Sequence, residues 1–210
     1  MPFGYIGQNQ TKQKVKNSGV LSSFDVSLLE KQGHAGGSLE LISSETVTSM
    51  TSAVDFTEVF TDNYDVYYLE IKKMQSSVNA YSIGIQFYES GTLETASVYQ
   101  YAMQGARTSP LYFESKSTSE AWITVGGDTD NDSGNSNNGY VYIYNPTNSS
   151  KYTFTTQHST AQYDTTFNMR FGAGVLPQAS TVNGFRLRLA TTGNFTGEFL
   201  LYGVKQIWVT

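Results

Sequence analysis

The chain has 210 residues, 13 basic against 18 acidic side chains, a formal charge of −5 and no cysteine. That balance argues against nucleic acid as the main partner, since phosphate binding needs a basic face, and the missing cysteines exclude disulfides, thiol chemistry and Cys-ligated zinc. Tyr 15, Phe 12 and Gly 19 against Pro 4 suit many short strands joined by turns, in one all-β domain or one domain with an arm.

The first residues, MPFGYIGQNQ, lack the basic-then-apolar order of a signal peptide. No apolar run approaches the ~20 residues of a membrane span, so no membrane partner is expected. Residues 1–35 read as an arm carrying one short helix. Phe3, Tyr5 and Ile6 stand among Gly and Gln, too few to bury a core of their own. They are expected to order on a partner as its anchors. Lys12, Lys14 and Lys16 form one small basic run, read as a solvated part of the arm. Residues 22–32, SSFDVSLLEKQ, are the helix candidate. Ser22 or Ser23 can cap the first turn, Asp25 favours its positive end, Val26 and Leu29 lie at i and i+3, and Gly33 is a natural stop.

Residues 36–210 read as strands. Short candidates at 38–42 and 47–56 come first. In 65–71 (DVYYLEI), Tyr67, Leu69 and Ile71 share the core face, by the period of two that a strand imposes. In 81–88, Tyr81, Ile83, Ile85 and Phe87 share a face; a turn at 89–92 and a run at 94–103 complete an expected hairpin over 81–103. A short apolar run, 121–125, follows. The stretch 137–158 is the clearest: Tyr140, Tyr142 and Tyr144 fall on one face, Val141 and Ile143 on the other. Asn145 to Ser150 supply the turn, and 151–156 alternates again. Runs at 167–175, 184–189 and 196–204 close the domain, with 206–209 as an extension. Phe185, Leu187 and Leu189 alternate with Arg186 and Arg188, as in a half-buried strand. About ten strands at this spacing predict an antiparallel two-sheet sandwich of jelly-roll type. No strand is followed by a long amphipathic helix, which disfavours a parallel α/β fold.

Candidate chemistry is sparse. His34 and His158 are the two histidines, and neither stands near a nucleophile motif such as GxSxG. Glu40 with Glu70, and Glu89 with Glu94, are the carboxylate pairs that neighbouring strands would bring closest, but exposed solubilising charge explains them as well. No enzyme is predicted. Asp128, Asp130 and Asp132 have the alternate spacing of the early ligands of a calcium loop. Gly134 then comes one place late, and Gly139 replaces the bidentate Glu. Calcium is the one cofactor the sequence suggests, and a connecting loop rich in turn-forming residues accounts for the same pattern without it. The tyrosine excess suits cross-strand packing, a subunit interface or a sugar-stacking face.

Several segments resemble virion proteins of marine tailed phages, including cyanophages: MPFGYIGQNQ, GGSLELI at 36–42, FYESGTLETASVYQY at 87–101, YNPTNSSKYTF at 144–154, GAGVLPQAS at 172–180 and LLYGVK at 200–205. The resemblance spans nearly the whole chain and carries no catalytic signature. It implies a structural protein on the particle, in the tail, a fibre or the capsid exterior. It would be made in the host cytoplasm and docked on other virion proteins through residues 1–35. A homo-oligomer, with a trimer favoured, fits that role. The alternative is a carbohydrate-binding module for host attachment, with surface glycan as partner.

Overall fold

Alternating aromatic and β-branched runs become strands throughout the computed structural model, which describes residues 38–79, 81–109 and 111–205. The chain divides into Met1–Ser38 and Leu39–Thr210, and the strands belong to the second unit. The arm anchors Phe3, Tyr5 and Ile6, the helix expected at 22–32, His34 and the extension at 206–209 lie outside the described residues.

Thirteen strands are present among the described residues, and no helix. They are β1 (Leu39–Thr51), β2 (Ala53–Phe56), β3 (Val66–Ser76), β4 (Ile83–Glu89), β5 (Thr92–Leu93), β6 (Tyr99–Arg107) and β7 (Leu111–Glu120). There follow β8 (Ile123–Thr124), β9 (Asn137–Tyr144), β10 (Thr153–Tyr163), β11 (Thr166–Leu176), β12 (Val182–Leu189) and β13 (Phe195–Val204). Every pairing is antiparallel. The eight-stranded sheet runs β1-β13-β3-β9-β10-β11-β6-β7; the five-stranded sheet runs β2-β12-β4-β5, with β8 also on β4.

The pairings are nested. β1 meets β13, β2 meets β12, β3 meets β9 and β4 meets β8. The chain is thus one long two-stranded ribbon folded over itself, with β1-β13-β3-β9 in one sheet and β2-β12-β4-β8 in the other. That is the jelly-roll arrangement. Two excursions widen it. β5 to β7 interrupt the ribbon between β4 and β8, and β10 to β11 interrupt it between β9 and β12. The hairpins β6–β7 and β10–β11 both add to the first sheet, doubling it from four strands to eight.

The core lies between the sheets. Tyr67, Leu69 and Ile71 of β3, Val141 and Ile143 of β9, and Phe199 and Leu201 of β13 meet Ile83, Ile85 and Phe87 of β4 and Phe185, Leu187 and Leu189 of β12. Phe185 stacks on Phe56 at 4.6 Å and on Phe60 at 5.7 Å. The alternation expected in 65–71 and 184–189, and the hairpin expected over 137–158, are all present.

Three expectations are corrected. The hairpin expected at 81–103 forms only around its turn, where Tyr88 pairs with Leu93 and Glu89 with Thr92, and does not continue along 94–103, because the chain changes sheets there: β4 pairs with β12, β5 and β8, while β6 lies between β11 and β7. Glu94 accepts the Ala96 N–H at 2.7 Å in the turn. Tyr99 is then buried between the sheets, its hydroxyl taking the Phe87 N–H at 2.9 Å and donating to the Glu94 carbonyl at 3.0 Å. Tyr81 is no core residue; it sits ahead of β4 in an isolated bridge to Thr129 and is 41% exposed. The runs at 38–42 and 47–56 are one 13-residue edge strand, bulged against β13, followed by a bend at Ser52 into the other sheet.

Candidate functional site

Widening one sheet but not the other leaves the added strands with two different faces to satisfy. Along β10, Thr153, Thr155, Gln157 and Ser159 point inward and are buried; Phe154, Thr156 and His158 point outward. Among the described residues no second sheet lies over the outward face. There the tyrosines of β9 continue across strands: Tyr202, Tyr68, Tyr142 and Thr156 lie in register, as do Glu70, Tyr140, His158 and Phe171. Ring centroids are 5.2 Å apart for Tyr68–Tyr142, 5.7 Å for Tyr140–Tyr142 and 6.3 Å for Tyr142–Tyr144. His158 meets Tyr140 edge-on at 5.9 Å. Offset and edge arrangements at these spacings are favourable for aromatic quadrupoles. The Tyr68 hydroxyl is pushed above the usual tyrosine range, mainly by burial and then by the Glu70 charge.

Beyond this ring cluster the face drops into a groove of about 710 Å³. Tyr140, Tyr142, Tyr144 and His158 form one wall. Thr156, Ala173 and Ala102 form a low floor, and Glu114, Ser115 and Lys116 of β7 form the other wall. A second trough of about 740 Å³ shares Ala102, Ala173 and Lys116 and adds Phe154. Phe154 and Phe171 are 45% and 48% exposed, so large apolar rings border the groove in open solvent.

The inward face is polar because its cover is irregular chain. The segment from β8 to about Asp130 lies on the inner side of β6 and β11, and its peptide groups need partners. Gln157 donates to the Thr124 carbonyl at 3.1 Å, Asn137 to Gly127 at 2.7 Å and Asn168 to Asp128 at 3.1 Å. Gly126 and Gly127 allow this close approach: a Cβ would stand 2.5 Å from the Asn137 amide or from the Asn168 carbonyl oxygen. At the end of this segment Asp128 meets two arginines. Arg170, 6% exposed, contacts Oδ2 of Asp128 and donates to Ser82 Oγ at 3.0 Å; Arg107 reaches Oδ2 at 3.0 Å. Both guanidiniums lie over the Phe113 ring, at 4.9 and 4.8 Å. Burial lowers the Arg170 pKa, against the Asp128 charge.

The structure thus gives the aspartates at 128, 130 and 132 separate tasks. Asp130, 2% exposed, accepts the backbone N–H of Asp164 at 2.6 Å, the Asn135 amide at 2.9 Å and the Asp132 N–H at 3.1 Å. It ties its loop to the tip of the β10–β11 hairpin. Asp132 is exposed. Among the described residues no group of three or more His, Asp or Glu side chains stands where one ion would meet them all. Glu40 pairs with Lys205 at 3.1 Å and Glu70 with Lys72 at 3.3 Å, while Glu89 accepts the Ser180 hydroxyl and Glu94 the Ala96 N–H. Glu40 and Glu70 are not on neighbouring strands, because β13 runs between β1 and β3.

Acid sensitivity follows from these contacts. Burial alone would raise the Asp130 carboxyl, but the hydrogen bonds from Asp164, Asn135 and Asp132 outweigh it and hold the pKa below the usual value. Arg186, bidentate on Asp55 at 2.7 and 2.9 Å, lowers that carboxyl against burial. A folded pKa depressed below the unfolded ~3.9 gives stability that is fully present above that value. It is lost as pH falls through the folded pKa. The melting temperature, followed by circular dichroism, should therefore hold steady down to about pH 5 and fall below about pH 4. Asp130→Asn should lower it at neutral pH and make the acid fall shallower; an unchanged acid slope would show that Asp130 is not one of the groups responsible.

Comparison with known proteins gives no matching family model, curated protein or solved structure.

Proposed function

We propose that this chain is a non-catalytic structural protein of a phage virion surface. It docks through residues 1–35 and presents the jelly-roll domain outward. One observation carries the reading: the ribbon is widened on one sheet only, by two added hairpins, so that a broad aromatic face is built that no other strand among the described residues covers. Jelly rolls serve as viral capsid and lectin domains. The architecture by itself does not assign function, and the sequence resemblance to virion proteins supplies the second support. The Asp128, Asp130 and Asp55 carboxylates hold the fold together. A second reading, a host-attachment module for surface glycan, is favoured by the groove beside Tyr142.

Copy number decides the first reading. Quantitative mass spectrometry of purified particles, with the major capsid protein as standard, should find the chain in the virion. Hundreds of copies would place it on the capsid lattice, and a few to a few tens on the tail or fibres. Absence from particles would overturn the proposal. A chain lacking residues 1–20 should incorporate poorly; normal incorporation would remove the arm from the docking role.

A further inference from the structure

We infer that the groove on the open face of the eight-stranded sheet binds a neutral oligosaccharide chain. This deepens the attachment reading and rests on it only for where the glycan is met.

A sugar ring is a slab with apolar C–H faces and hydroxyl edges, so its site needs exposed rings beside hydrogen-bonding groups. Both are present at close quarters. Tyr142 and Tyr144 line the groove with half-exposed rings, and Phe154 and Phe171 add exposed apolar surface. Between and opposite the rings stand the His158 imidazole and the Gln104 amide. The Tyr144 hydroxyl and Thr156 Oγ1 lie 3.0 Å apart and form one further polar edge.

The floor explains the shape. Ala102, Thr156 and Ala173 are small, exposed residues at outward positions of adjacent strands, paired in register. Large side chains there would level the face. Small ones leave a trough that crosses β10, β11, β6 and β7 and continues into the second trough past Phe154. An elongated chain fits such a course better than a compact ligand.

Charge selects the ligand class. Among the described residues the acidic and basic side chains lining the groove are Glu114 and Lys116, and they neutralise each other at 2.7 Å. At the inner margin Glu70 is paired with Lys72. Among the described residues no surplus lysine or arginine lines the groove to face a phosphate, sulfate or uronate, as an anionic polymer would need. A protein partner would seat large anchors at the centre of its interface. Here the centre is small side chains and a depression, with the rings along its borders.

The full chain should be assayed on an array of neutral and acidic oligosaccharides, and the best neutral oligosaccharide titrated by calorimetry. Binding should appear on neutral structures. Tyr142→Ala should weaken it on the order of tenfold, as loss of one stacked ring implies, while Tyr142→Phe keeps most of it. Ala173→Trp, which fills the floor from an exposed position and removes no ring, should abolish binding with an unchanged melting temperature. Three results would each overturn the inference. They are no binding to any neutral oligosaccharide, binding to acidic ones alone, and a wild-type oligomer that Ala173→Trp converts to monomer. The last would assign the groove to a second copy of this chain. Particle copy number is read independently, so glycan binding by a protein absent from virions would fail the virion proposal and leave this one standing.

Discussion

Asp128→Ala should destabilise the domain by about 3–5 kcal/mol, the cost of leaving a buried charge without its partner. Arg170 is almost wholly buried, and its charge is balanced by one carboxylate that Arg107 shares. Removing that carboxylate leaves two guanidiniums facing the same space beside Phe113. Like charges then add repulsion to lost solvation. Arg107→Ala should cost less, because its side chain is 28% exposed and water can replace part of the contact. Adding Arg170→Met to Asp128→Ala should recover part of the loss, since the cost comes from the unpaired charge and not from the missing attraction. Urea unfolding measures all three. A cost below about 1 kcal/mol for Asp128→Ala, the range of an exposed pair, would show that water reaches Arg170 in solution.

Phe185→Ala should cost a similar amount, about 3–5 kcal/mol, by loss of burial and creation of a cavity. Its ring is fully buried, stacked on Phe56 and near Phe60, and β12 holds it at the centre of the smaller sheet, between β2 and β4. Domains of this kind have only about 5–15 kcal/mol in total, so the variant should sit near its unfolding limit. The neighbouring substitution is the control. Arg186 points to the opposite face and binds Asp55 and Tyr88 in partly exposed positions. Arg186→Ala should cost roughly 1 kcal/mol. Equal losses at 185 and 186 would contradict the assignment of one face to the core.

Those two residues also show what local pattern can convey. Strands with one wet and one dry face announce themselves, and β3, β9 and β12 were all legible because inward apolar residues alternate with outward polar or tyrosine side chains. β7 was not. In LYFESKSTSE at an outer edge, neither face is a dry core face, and Ser, Thr, Glu and Lys fill it, so alternation carries little contrast. The change of sheet at 94–98 was hidden for another reason. Tyr99 looks like any strand tyrosine until its hydroxyl is seen holding Phe87 and Glu94. At the candidate site the outward Tyr140, Tyr142 and Tyr144 were visible as a face. The facing wall of Glu114 and Lys116 and the floor of Ala102 and Ala173 come from distant strands and have no signature in the chain. The same holds for the Asp128 cluster: spacing suggested a cation for 128, 130 and 132, whereas residues 42 positions and 21 positions away supply the positive charge.

The nesting of the ribbon sets the order in which a newly made chain can be completed. β1 has no partner until β13 emerges, β2 and β3 wait for β12 and β9, and β4 has only the two-residue β5 until β8 appears. During translation the first four ribbon strands therefore exist with open edges. At ~5–20 residues per second that interval lasts on the order of ten seconds. Open edges on a growing chain invite pairing with the wrong neighbour, and long-range closure is itself slow. A protein built this way depends on holding its early strands apart until synthesis ends, and crowding many such chains on one messenger works against its yield.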